Sequence, residues 1–291
     1  MRFSYAEAMT DPSFYLPLAQ AAEAAGYTSM TVPDSLAYPE VSDSTYPYTP
    51  DGDRSFLEDK DFIETFTVTA AMGAVTTTLR FTPFVLKLPV RPPALVAKQA
   101  SSVACLTGNR LSLGVGVSPW PEDYALMGVP FERRGRRMDE CMDIVRGLTA
   151  GGYFSFHGEF YDIDSVKMSP VPTEPIPLLV GGHSEAAMRR AVVRGDGWMH
   201  GGGPDDLDEL LTRLNAIRHA EGKQDAPFEI HVISLDAYTP DGVKRLEDKG
   251  VTDVIVGFRL PYIVGPDTEP LDRKIMNLER FAERVIAKVN P

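Results

Sequence analysis

The run PIPLLVGGHSEAAMRRA, residues 175–191, ends an apolar strand in two glycines and enters a helix through a histidine and a serine. The chemistry such a junction offers is anion binding. The first amides of a helix are unpaired and the helix dipole adds positive potential there. Glycine lets a ligand approach the backbone with no Cβ in the way. Gly181, Gly182, His183 and Ser184 would form the cradle, the last two adding side-chain donors. The same residues also describe a tight strand-to-helix turn with a serine cap, which needs no ligand. Glu185, in the first turn, opposes an anion unless it points away.

Two further junctions carry unusual residues. LGVGVSPWPEDY (113–124) places Gly114 and Gly116 in a strand, followed by Ser118, Trp120 and Glu122. No third glycine follows at the offset a dinucleotide fingerprint requires. Glycine weakens a strand, so close approach by a ligand is the expectation for this pair. Trp120 either lies along a planar cofactor or covers the end of the fold, and Glu122 is either a polar contact or a helix-start residue. FTPFVLKLPVRPP (81–93) has Pro83 inside an apolar run, which predicts a distortion there. Asp34, at the end of another strand, suits acid–base work or a loop cap. His157 and His231 have no recognisable partner and read as structural, and Trp198 reads as core or rim. The ERRGRR cluster (132–137) reads as a solvated helix start, or as a contact for an acidic ligand tail.

The elements that must position these residues alternate along the chain. Strands are expected at 2–6, 27–34, 79–90, 110–117, 175–182, 196–202, 228–237 and 251–258. Helices are expected at 13–26 (Ser13 as its cap), 61–77, 92–108, 135–152, 184–195, 205–222, 241–250 and 271–289. Eight strand–helix units predict a parallel sheet, and this length fits a closed (β/α)8 TIM barrel over residues 1–291 as one domain; an open doubly wound sheet is the rival. Two segments interrupt the alternation. A long polar, proline-bearing loop, 35–60, leaves the C-terminal end of the second strand, where barrel active sites form. A hairpin-like insertion, 153–174, is expected to turn at His157–Gly158.

The chain has 291 residues and a formal net charge of -12, which argues against a nucleic-acid surface. Cys105 and Cys141 fall inside helical patterns and read as two buried thiols, with no disulfide framework or metal spacing. With no secretory signal and no run long enough for a membrane span, the expectation is a cytoplasmic protein with a small-molecule substrate.

SMTVPDS, VLKLPVRPPALVAKQ, NRLSLGVGVSPWPEDY, GVPFERRGRRMDE and PIPLLVGGHSEAAMRRA followed by DGWM, in that order, resemble the bacterial luciferase-like oxidoreductases. More narrowly, they resemble the branch that uses the deazaflavin coenzyme F420. The resemblance runs from about residue 20 to 200. It implies a (β/α)8 barrel with an insertion, a homodimer, and a deazaflavin, or alternatively FMN, across the C-terminal mouth. By resemblance, Gly181, Gly182, His183 and Ser184 hold the cofactor phosphate, and Gly116, Ser118, Trp120 and Glu122 line the cofactor. Phe84–Val85 falls where the family has a non-proline cis peptide behind the central ring. Family members that oxidise alcohols often carry Asp-His at the end of strand two; here the pair is Asp34-Ser35. The histidine base is absent from that place, which leaves Asp34, Ser35 or the loop tyrosines Tyr38, Tyr46 and Tyr48 to relay a proton. The implied activity is hydride transfer between F420 and a small organic substrate, with an FMN-dependent monooxygenase or a deazaflavin-binding protein without turnover as alternatives.

Overall fold

A computed structural model describes residues 1–290 except Ala8, Pro47, Pro50, Pro204 and Pro261. Its core is a ring of parallel strands: β1 (Arg2–Ala6), β2 (Ser29–Val32), β3 (Arg80–Pro83), β4 (Leu86–Lys87), β5 (Leu113–Gly116), β8 (Leu178–Gly181), β9 (Gly197–Met199), β10 (Glu229–Val232) and β11 (Asp253–Val256). They pair in the order β3-β2-β1-β11-β10-β9-β8-β5-β4. The two ends of that order, β3 and β4, are halves of one apolar run parted by a cis Phe84–Val85 bond. They therefore make one stave, a Phe81–Leu111 bridge helps close the ring, and the architecture is an eight-staved TIM barrel.

Alternate strand residues face in and out. Outward-facing Phe3, Tyr5, Val32, Phe81, Val115, Val180, Trp198, Val232 and Val254 are buried under the helices. These include α1 (Tyr15–Ala24), α2 (Thr65–Ala74), α3 (Pro93–Thr107), α5 (Arg134–Thr149), α6 (Glu185–Arg194), α7 (Leu207–Ala220), α8 (Pro240–Asp248) and α9 (Leu271–Phe281), with a short α4 (Pro121–Leu126) after β5. Inside the barrel, Leu179, Met199 and Ile255 form an apolar layer against Phe84 and Val85. The base of the barrel is ionic instead. Arg2 Nη2 lies 2.6 Å from Asp253 and 2.9 Å from Glu229, and His231 Nε2 lies 2.7 Å from Glu229. His231 thus has partners that the sequence did not reveal.

Other expectations shift in detail. Asp11, not Ser13, caps the first helix: its carboxylate accepts from Ser13 N at 2.8 Å and starts a 3-10 turn, Pro12–Phe14, that runs into α1. The strand expected at 228–237 stops at Val232, because Ser234 Oγ accepts from Asp236 N and opens a turn over Leu235–Tyr238. The hairpin forms from β6 (Tyr153–His157) and β7 (Asp162–Lys167), but its loop is longer than His157–Gly158 and closes through Gly158 N to Tyr161 O at 2.9 Å. His157 pairs with Asp162 across it. Cys141 is buried, and burial pushes its thiol up to about 12; Cys105 is exposed because it falls off the buried stripe of α3. The 132–137 cluster is only partly solvated. Arg137 is buried and donates to Pro130 O at 2.6 Å, while Arg134 lies over the Phe131 ring. Among the described residues, no helix is long and apolar enough to cross a membrane.

Candidate active site

The C-terminal mouth of the barrel collects most of the singled-out residues, and Val85 organises it. A Cβ at Gly116 would stand 2.7 Å from Val85 Cγ2, and one at Gly181 would stand 2.9 Å from Cγ1. The half-exposed Val85 side chain therefore sits in a notch made by glycines of two neighbouring staves, β5 and β8. At Gly114 a Cβ would meet Pro83 O at 1.9 Å and Met199 Sδ at 2.7 Å. The glycines of β5 are thus required by the protein's own bulge at 83–85, a reason that holds with or without a ligand at that backbone. Gly182 has a different reason to be glycine: its φ of +119° is a backbone setting that side chains avoid.

Beyond Gly182 the chain enters α6. Ser184 acts as cap, its Oγ accepting from Ala187 N at 3.2 Å and its carbonyl from Met188 N at 3.0 Å. The amides of Glu185 and Ala186 remain without a partner among the described residues. Of the side-chain donors expected here, His183 is otherwise engaged. His183 holds Asp205 through Nδ1 at 2.6 Å and accepts from Gly201 N through Nε2 at 3.1 Å, which places its proton on Nδ1. A cavity of about 410 Å³ adjoins this point, between the starts of α6 and α7, and Asp205, Asp206 and Glu209 line it together with Arg213. The backbone offers an anion two amides; the carboxylates on the far wall oppose it.

His200, at the end of β9, was not singled out from sequence. Its ring stacks on His183 with centroids 4.8 Å apart, and Nδ1 faces Ile233 O at 3.1 Å. Burial, helped by His183, pulls its pKa down to about 4, so the ring is neutral. The signal available was a histidine directly after a short barrel strand, in DGWMH.

Asp34 closes the top of β2, with a side chain 2% exposed. Its two oxygens meet Arg91 at 2.7 and 3.0 Å, and it also accepts from Lys87 N at 2.9 Å and Thr65 Oγ1 at 3.2 Å. A carboxylate so engaged ties β2 to the segment that leads into α3. That favours the anchoring reading over the catalytic one. Ser35 follows it, half-buried.

The loop 35–60 lies over the mouth as a lid, held by the residues after β5. Glu122 accepts from the Ser42 and Ser44 hydroxyls, and Trp120 Nε1 donates to Thr45 O at 3.1 Å. Burial works against the Glu122 carboxylate, but the two serines and Arg54 outweigh it and hold its pKa below the usual range. Met9, Phe56, Leu57 and Trp120 form a small core beneath the lid. Ser118 bonds Asp123, which pairs with Lys87 at 2.9 Å. At the other end of the lid, Tyr48 stands edge-on to His183 and fills the space a Cβ would take at Gly201, 2.7 Å from its ring. Burial raises the Tyr46 and Tyr48 phenols, so both stay protonated. Trp120 and Glu122 therefore fasten the lid, a role their spacing did not distinguish from cofactor contact.

Comparison with known proteins gives a consistent picture. A family model described as luciferase-like monooxygenase matches residues 3–274. An uncharacterized protein of Mycobacterium tuberculosis (strain ATCC 25618 / H37Rv) is 73% identical over 290 residues, covering 99% of this chain and 100% of that one. Among solved structures, the coenzyme F420 dependent tetrahydromethanopterin reductase from Methanopyrus kandleri superposes with a TM-score of 0.75 at 14% identity, covering 99% of both chains. Monooxygenase RslO1 from Streptomyces bottropensis superposes with a TM-score of 0.74 at 17% identity, again over 99% of both. At these identities the two structures speak to the fold.

Proposed function

Because this chain belongs to the luciferase-like monooxygenase family, we propose that it is an F420-dependent oxidoreductase acting on a small organic substrate at the barrel mouth. The observation that carries this reading is the placement of two features along one rim of the barrel, on the staves that flank β5. Val85 projects into the mouth from its glycine notch, and the open amides of Glu185 and Ala186 begin α6 just beyond Gly182. A flat ring resting on Val85 would have its phosphate within the reach of a helix start. Asp205, Asp206 and Glu209 count against a heavily charged tail lying in the adjoining cavity, so such a tail would have to leave by another path. Bound there, the deazaflavin supplies the hydride chemistry. This chain's part is to seat the ring on Val85, to hold the anionic end on α6, and to exclude water beneath the 35–60 lid. Tyr48, at the lid's edge beside His183, is the residue we assign as donor of the proton that a hydride-accepting substrate needs. The preference for F420 over FMN rests on the motif resemblance between residues 20 and 200.

A second reading, binding without turnover, is favoured by Asp34. Its oxygens are on Arg91 and Lys87 N, so Asp34 is not a free base at the end of β2. One experiment addresses both readings. Anaerobic titration with F420 and with FMN, followed by absorbance and fluorescence, should show saturable F420 uptake. Exchange of hydride with a panel of carbonyl and alkene acceptors then separates an enzyme from a carrier. Oxygen consumption with reduced FMN, and none of this with F420, would instead identify a monooxygenase.

A further inference from the structure

Burying a guanidinium is expensive unless it is paired and hydrogen-bonded. Most buried cations near the mouth meet that condition. Arg91 grips both oxygens of Asp34 and Lys274 donates to Glu7 at 3.0 Å, while Lys87 keeps a close ion pair with Asp123 at 2.9 Å. Arg54 does not. It is 7% exposed, yet its carboxylate neighbour Glu122 stands back at 3.9 Å and its Nη1 reaches only Ser42 Oγ, at 3.2 Å. Glu122 is already held by Ser42 and Ser44, and Arg54 Nε is buried without a partner among the described residues. What surrounds the guanidinium otherwise is aromatic: it lies 4.3 Å from the Trp120 ring centroid and 5.5 Å from that of Tyr38. Packing against the indole leaves Nε without a hydrogen-bond partner. Arg54 also belongs to the lid, so a group that engages it lies between the lid and the barrel.

We propose that Arg54 is the receptor for an oxyanion carried by the substrate, a carboxylate, sulfonate or phosphate that enters beneath the 35–60 lid and takes the buried, unpartnered Nε edge of the guanidinium. The inference rests on reading the mouth as the reaction site, and it adds that the substrate is anionic. An oxyanion there converts a poorly paired buried charge into a charge-assisted, bidentate contact, the strong form of hydrogen bond. It also ties the substrate to the 35–60 loop, since Arg54 belongs to that loop while Trp120 and Glu122 follow β5.

The test uses the full chain labelled with 15N-arginine, without cofactor. The Nε–H resonance of Arg54 is assigned as the one missing in Arg54→Gln and in Arg54→Lys. Sodium acetate, sulfate and phosphate are titrated separately at constant ionic strength. The expected result is a saturable shift of that resonance with at least one of the three, while the Arg91 resonance stays in place. Tryptophan fluorescence should change in parallel, and the change should vanish in Trp120→Phe. By the same fluorescence readout, Arg54→Lys, which keeps the charge and loses the fork, should bind that anion about tenfold more weakly or worse. The anion that binds tightest names the class. A resonance that stays still with all three anions, or drifts without saturating like those of exposed arginines, overturns the proposal. So does Arg54→Lys binding as tightly as the parent. Should Arg54→Gln fail to fold, the parent spectrum and Arg54→Lys still decide. Because no cofactor is present, failure to take up F420 or FMN would count against the functional reading alone.

Discussion

Replacing Gly116 by alanine tests whether the notch exists to seat Val85. The new Cβ would lie 2.7 Å from Val85 Cγ2, about 1 Å inside the usual carbon–carbon separation. Gly116 cannot move easily, because β5 is paired on both sides, to β4 through Lys87 and to β8 through Leu113–Val115. Val85 must give way instead, and a β-branched side chain has few rotamers to offer. Overpacking of this kind costs about 1–3 kcal/mol. Val85→Ala alone removes two methyls from a half-exposed site and should cost about 1 kcal/mol. In the double variant the alanine at 116 enters space the valine has left, so its own cost should fall below about 0.5 kcal/mol, a coupling well above the usual error of additivity. Urea unfolding of the four proteins, compared through their midpoints, measures this. Costs that simply add would mean that Gly116 and Val85 do not share the space described, and the seat for the ring would lose its basis.

Two other outcomes are expected. Asp34→Asn should destabilise the fold by about 3–5 kcal/mol in urea, because Arg91 is left as an unpaired buried charge; a variant that keeps its stability and loses only turnover would return Asp34 to a catalytic role. His200 has its folded pKa lowered to about 4 from 6.5, so its contribution is fully present above pH 6.5 and is lost as pH falls toward 4. Subtracting the profile of His200→Gln from that of the parent should therefore show a stability loss of about 1–3 kcal/mol over that window and a flat line above it, whereas a loss above pH 7 would contradict the assignment of a neutral, buried ring.

Much of the barrel was legible because its signal is local. Runs such as PLLVG and DVIVG, each closed by glycine and followed by a helical stripe, locate staves without knowledge of their neighbours. Ends of elements were less legible, since one side chain decides them: Ser234 ends the seventh stave early, and Asp11 starts α1 in place of Ser13. Most junctions singled out from sequence meet at the barrel mouth, and two of their glycines make room for a neighbour the sequence did not show. Gly116 and Gly181 looked like openings for a ligand, and what they accommodate is Val85, remote from both in sequence. Asp34 stayed between acid–base work and a loop cap because Arg91, its partner, lies 57 residues further on. Arg54 and His200 drew no notice because their importance lies in the partners they lack or stack upon, which only the assembled mouth shows.

The central claim is that the mouth holds a flat, two-electron ring on Val85 with its anionic end at the start of α6. Equilibrium titration of the purified chain with F420 and, in parallel, FMN tests it most directly. One saturating F420 per chain, weakened by substitution of Gly182 with a bulky residue, is the result this account predicts. Uptake of neither cofactor, or F420 uptake indifferent to Gly182, would contradict it.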